Sequence, residues 1–193
     1  MRTVFFDVDT QIDFLYPAGA LYVPGAERIA PAVSRLNHFA AARGIPLISS
    51  MDAHAENDPE FSVWPPHCIA GTLGQRKPEA TLVEGRVTIP NVECALPLEA
   101  GRQFILEKQT VNAFECRNIH KLLDALQAER YVVYGVVTEV CVLHAVRGLL
   151  QTGKPVTVVT DAIETLDAAN STQALAEMQA SGASLALVSA IAG

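Results

Sequence analysis

The sequence predicts an α/β protein: a Rossmann-like, open, mainly parallel sheet of six strands with helices on both faces. Three observations carry that expectation. Apolar runs of strand length alternate with stretches of helical spacing along the whole chain, as repeated strand–helix–strand units do. Several runs are apolar almost throughout, as strands covered on both faces should be. The 193 residues are 50% hydrophobic and 18% charged, which suits one domain, 1–193, that buries roughly 70% of its unfolded surface without disulfide staples.

Taken in order, TVFFDV (3–8) is the first strand, and AERIAPAVSRLNHFAAARG (26–44) carries helical spacing up to Gly44, a C′ glycine. IPLISS (45–50) is the second strand and QFILEK (103–108) the third. A helical pattern, NIHKLLDALQAE (118–129), then leads to YVVYGVV (131–137), the fourth. EVCVLHAVRGLLQTG (139–153) and NSTQALAEMQASG (170–182) are helical around PVTVVT (155–160), and SLALVS (184–189) is the sixth strand. Residues 52–101 break the rhythm, being rich in Pro, His and acidic residues. A loop that long inside a compact domain is usually functional or disordered.

Several function classes are excluded. A net charge of −7 argues against a nucleic-acid surface or a polybasic membrane patch. No apolar run approaches the ~20 residues of a membrane span. MRTVFFDVD reaches acidic residues too soon for a signal peptide. Four scattered cysteines without a CxxC pair fit a reducing cytoplasm.

Open α/β sheets bind ligands outside the carboxyl ends of their strands. The expected strands run there into Asp9 and Asp13, into Asp52 and His54, into Lys108, and into Cys141. In a parallel sheet these groups share one rim. Thr138 in VVTEVC is a candidate N-cap that puts Cys141 in a first helical turn, where the helix dipole favours an anion. With an ammonium nearby, a thiol can fall from about 8.5 to about 6. Lys108 is a candidate ammonium, and Asp9 a candidate proton carrier if burial raises its pKa. Each residue also has an inert reading: core thiol, turn cap, solvated strand end.

MDAHAENDPEFSVWPPHC (51–68) holds Asp52, His54, Glu60 and His67. Mixed carboxylate and imidazole donors suit zinc, iron or manganese better than calcium, but the spacing alone leaves a metal site and a polar loop both open. Cys68, beside His67, is either a further ligand or an inward-packing thiol, and Cys94 and Cys116 are structural.

DTQIDF (9–14), PAGALYVPGAE (17–27), DAH (52–54), WPPHCIAGTLG (64–74), LEKQTVNAF (106–114) and GVVTEVCV (135–142) together resemble the isochorismatase-like cysteine hydrolases, and within them most closely the nicotinamidases. The resemblance implies a catalytic triad of Asp9, Lys108 and Cys141, with an oxyanion hole from the backbone N–H groups of Val137 and Cys141 beside a cis peptide at Val136–Val137. It implies one divalent transition-metal ion (Zn, Fe or Mn) on Asp52, His54 and His67, with Glu60 as a further ligand. Phe14 and Trp64 map onto the aromatic walls that hold the ring of a small amide substrate, and family members are commonly homo-oligomers. The chain departs from the nicotinamidase pattern at Ala53, Asn112, Ala145 and Gly148, which bears on the exact amide.

The activity so implied is hydrolysis of nicotinamide to nicotinate and ammonia. Rival readings are a carbamoyl or ureido hydrolase, an isochorismatase-type ether hydrolase, and a non-catalytic binding protein. A rival base is His144, three residues beyond Cys141 and so a helical neighbour.

Overall fold

The computed structural model describes residues 2–99 and 101–193. Met1 and Ala100, which fall in the expected domain 1–193 and its loop region, lie outside the described residues. The strands are β1 (Thr3–Val8), β2 (Leu47–Asp52), β3 (Arg86–Ile89), β4 (Gln103–Lys108), β5 (Arg130–Gly135), β6 (Val156–Ile163) and β7 (Ser184–Ala186). The helices are α1 (Ile12–Leu15), α2 (Ala30–Ala42), α3 (Ile119–Leu126), α4 (Leu143–Leu150), α5 (Ala168–Ala180) and α6 (Val188–Ala192). The strands form one sheet in the order β3-β4-β2-β1-β5-β6-β7, and every pair is parallel.

The described residues thus hold seven strands where six were expected. The extra one, β3, is a four-residue edge strand that is mostly half-buried or exposed. It sits inside the aperiodic 52–101 region, and four residues are too few for an alternation to stand out. Strand boundaries also move: β5 ends two residues earlier than expected and β6 three residues later. β2 begins and ends two residues later than expected, so that Asp52 is its last residue. β7 stops at Ala186 and the chain turns into α6.

Alternation along β1 builds two cores. Val4, Phe6 and Val8 pack with Ile119 and Leu122 of α3, Val146 and Leu149 of α4, and Met178 of α5. Phe5 packs on the other face with Val33 and Leu36 of α2 and Val188 of α6. Asp7 lies on that second face and is fully buried. It is satisfied by Thr10 (2.6 Å), Ser49 (3.1 Å), Asn37 (3.2 Å) and Lys77 (3.2 Å). A charge buried this deeply survives only when paired and hydrogen-bonded in this way.

The register places the site. Asp52 lies opposite Lys108, and Val8 opposite Gly135. Gly135 has φ +123°, and a Cβ there would come within 2.0 Å of the Val8 carbonyl oxygen. Only glycine lets β5 end this close to β1, and the turn carrying Cys141 follows at once.

Candidate active site

The chain leaves β1 at Asp9, which has φ +49°, a left-handed conformation that Asp tolerates better than most residues. Its carboxyl is fully buried. Oδ1 accepts from the Ser50 hydroxyl (2.7 Å), and Oδ2 lies 2.9 Å from Lys108 Nζ. Lys108, also buried, donates to Asp52 Oδ1 and to the Thr110 carbonyl (2.9 Å). One ammonium is therefore clasped between two carboxylates at the adjacent ends of β1, β2 and β4. Burial pushes Asp9 up, and Asp52 adds to this against the pull of Lys108 and Ser50. Burial would raise Asp52 as well, but Lys108 and the two histidines hold it below the usual carboxylate range. Lys108, despite burial, is held firmly protonated by Asp52, Asp9 and Cys141.

After β5 the Val136–Val137 peptide is cis, where the family resemblance implied it. Residues Thr138–Val142 form a π-helical turn that runs into α4. Thr138 is not the N-cap expected of it: it begins the turn, and its hydroxyl donates to the Glu164 carbonyl (2.8 Å). The Val137 carbonyl accepts from Val140 and Val142 (3.1 Å each). Cys141 sits in this turn, 8% exposed, within the electrostatic reach of Lys108, Asp9 and Asp52. The expectation of a ready thiolate is overturned. Burial pushes the thiol well up; Lys108 pulls it down, and the carboxylates of Asp9 and Asp52 push it up again. Burial and Arg147 push the His144 imidazole below its usual range.

Beside this cluster, Asp52, His54 and His67 bring one donor atom each within 4.8 Å of one another, all buried. Asp52 Oδ2 lies 3.9 Å from His54 Nε2 and 3.7 Å from His67 Nε2. His67 Nδ1 is 2.8 Å from the Pro65 carbonyl. A proton on Nδ1 then leaves the Nε2 lone pair toward the cluster. His54 is wholly buried, and neither ring nitrogen makes a well-formed hydrogen bond among the described residues. Nδ1 has only Asp58, at 3.1 Å. A buried imidazole with an orphaned Nε2 aimed at a carboxylate and a second imidazole fits a metal ion. Glu60 stands outside the group of three. It is half-buried, raised by burial and by Asp52, and lines the neighbouring cleft.

That cleft has about 340 Å³ of empty volume including its open mouth. Phe14, Trp64, Leu21, Val111, Val137 and Leu166 wall it, with Cys141, Asp52 and His67 at the reactive end. Phe14 and His67 meet ring to ring at 5.3 Å. A mostly apolar cleft with a few converging polar groups suits a small aromatic ligand.

The structure thus gathers every residue of the expected rim except Asp13, which ties loops together. Its carboxylate accepts from Ala20 N (2.9 Å) and Cys68 N (2.7 Å). Cys68 is buried and not among the metal-competent donors. Sequence reasoning passed over Gln11, which holds Asp52 at both backbone atoms: Nε2 donates to its carbonyl (2.9 Å) and Oε1 accepts from its N–H (2.7 Å). Gln11 sits inside DTQIDF, but nothing local marks a glutamine as a strap. Two family departures find a physical role together. Asn112 Oδ1 caps the turn at Phe114 N (3.0 Å), and a Cβ on Gly148 would lie 2.1 Å from the Phe114 ring.

Comparison with known proteins agrees with this architecture. The isochorismatase domain model matches residues 3–189. Nicotinamidase of Escherichia coli (strain K12) is 26% identical over 207 aligned residues, covering 92% of this chain and 91% of that protein. N-carbamoylsarcosine amidase of Arthrobacter sp is 22% identical, covering 79% of this chain and 55% of that protein. The crystal structure of the pyrazinamidase of Pyrococcus horikoshii in complex with zinc superposes with a TM-score of 0.80 at 25% identity, over 97% of this chain and 99% of that one. With nearly its whole length matched by one family model, and with that family's sheet, this chain belongs to the isochorismatase-domain family of hydrolases.

Proposed function

We propose that the protein is a cysteine amidohydrolase that converts a small aromatic carboxamide, nicotinamide foremost, to the acid and ammonia. The observation that carries this reading is the buried cluster of Asp9, Lys108 and Cys141 at the end of an apolar cleft beside the Asp52–His54–His67 group. Asp9 takes the Cys141 proton as sulfur attacks the carboxamide carbon. The N–H groups of Val137 and Cys141 hold the oxyanion; losing one such donor typically costs about 10²- to 10³-fold in rate. The C–N bond breaks as Asp9 passes the proton to the departing ammonia. Water then gives a proton to Asp9 and attacks the thioester, and the C–S bond breaks. Asp9 returns the proton to sulfur. Lys108 keeps Asp9 anchored and offsets its charge. Asp52, His54 and His67, with Glu60 at the rim, would hold a divalent transition ion (Zn, Fe or Mn), which would supply Lewis-acid chemistry beside the substrate. Phe14 and Trp64 grip the ring.

The likeness to N-carbamoylsarcosine amidase supports a second reading, hydrolysis of a carbamoyl group. A panel of nicotinamide, pyrazinamide, carbamoylsarcosine and isochorismate, with ammonia and product detection, separates the readings. Ammonia from the two aromatic amides is expected. Turnover of carbamoylsarcosine alone, or of isochorismate alone, would replace this reading, and no turnover at all would leave a binding protein.

A further inference from the structure

The segment after β6 lines the cleft at Leu166, and two residues of the turn that carries Cys141 hold it there. Glu139 lies in the π-helical turn two residues before Cys141. Its Oε1 accepts from the backbone N–H of Leu166 (3.0 Å) and of Asp167 (2.9 Å), and its Oε2 from the Thr165 hydroxyl (2.6 Å). The same turn grips the residue before: Thr138 N and Oγ1 both donate to the Glu164 carbonyl (2.9 and 2.8 Å). Five hydrogen bonds therefore fasten 164–167 to the turn that carries the nucleophile. The product of that fastening is Leu166, a leucine 40% exposed that lines the cleft together with Cys141, Val137 and Val140. A leucine that open, on a loop outside any helix or strand, keeps one position only if its backbone is held, since loops are otherwise the mobile part of a fold.

We propose that Leu166 determines the size of ring admitted over Cys141 and that Glu139 is the positioning residue that sets Leu166. Glu139 does not touch the substrate; it acts through the loop backbone. The wall and the nucleophile belong to one hydrogen-bonded unit, so the gap between them is set by that unit. This inference deepens the amidohydrolase reading and rests on it.

The test compares wild type, Leu166→Ala, Glu139→Ala, Glu139→Gln and the Leu166→Ala/Glu139→Ala double variant. Substrates are nicotinamide and a series of nicotinamides with growing substituents on the ring. A methylene-scale change in an apolar pocket is worth about 10-fold or more in discrimination. Leu166→Ala and Glu139→Ala should each lower the preference for unsubstituted over bulky ring by at least about 10-fold, chiefly through KM. The double variant should match Leu166→Ala, because Glu139 works through the same side chain. Glu139→Gln should recover most of the preference, since its amide oxygen can accept from both N–H groups while its NH₂ donates to Thr165. Alkylation of Cys141 by iodoacetamide should stay close to the wild-type rate in all four variants. Additive effects in the double variant would overturn the proposal. So would an equal loss of kcat on every substrate with the preference unchanged. If wild type hydrolyses none of these amides, the amidohydrolase reading fails and takes this inference with it. Turnover by wild type with unaltered preference in the variants sinks the inference alone.

Discussion

Gln11→Met tests whether the metal-competent group is pre-shaped by its surroundings. Gln11 is fully buried and makes three hydrogen bonds: to the Asp52 carbonyl, from the Asp52 N–H, and to the Gln75 carbonyl (2.8 Å). Methionine keeps the length and apolar stem of the side chain while deleting all three. A typical buried hydrogen bond contributes about 1 kcal/mol net, and an orphaned buried group costs about 1–3 kcal/mol. Deleting three such bonds should therefore cost about 3 kcal/mol in total. For a domain of this size that lowers Tm by about 6–12 °C. Asp52 should also lose its fixed direction, weakening metal binding by about 10- to 100-fold. Urea denaturation of chelator-stripped protein reads the first quantity, and titration with zinc against a competing chelator the second. A variant within ~0.5 kcal/mol of wild type, with zinc affinity unchanged, would refute the strap.

Three further outcomes follow from the geometry. Asp9→Asn should lower kcat/KM by at least ~10³-fold, because it removes the group that serves thiol, ammonia and water in turn. His144→Ala should cost less than ~10-fold, and steady-state kinetics on both variants, with folding checked by circular dichroism, would expose the reverse ranking. Replacing His54 and His67 together by Ala should abolish transition-metal content while the sheet persists; full occupancy by elemental analysis would defeat the assignment. Gly135→Ala should destabilise by at least about 2 kcal/mol, since it sets a Cβ against the Val8 carbonyl at a φ that alanine avoids. An unchanged urea midpoint would show that β5 can end elsewhere.

Local chemistry made much of this legible before folding. The apolar runs and their helical interludes name the parallel sheet, because a strand covered on both faces has nowhere to place a polar side chain. In a parallel sheet all carboxyl ends face one way, so Asp9, Asp52 and Lys108 had to meet on one rim once the strands were known. β3 was not legible, being four residues with a mixed pattern at an edge. The state of Cys141 was not legible either. The sequence places a thiol near a lysine, which alone favours the thiolate, but its proton affinity is a balance among burial, one ammonium and two carboxylates. That balance depends on distances across four strand ends. Gln11, Asp58 and Glu139 act over 41, 4 and 26–28 residues of chain, and their partners are backbone atoms, a threonine hydroxyl and an imidazole edge. A backbone N–H looks the same at every position of a sequence, so which one a buried side chain will hold is decided only when the tertiary structure brings the two together.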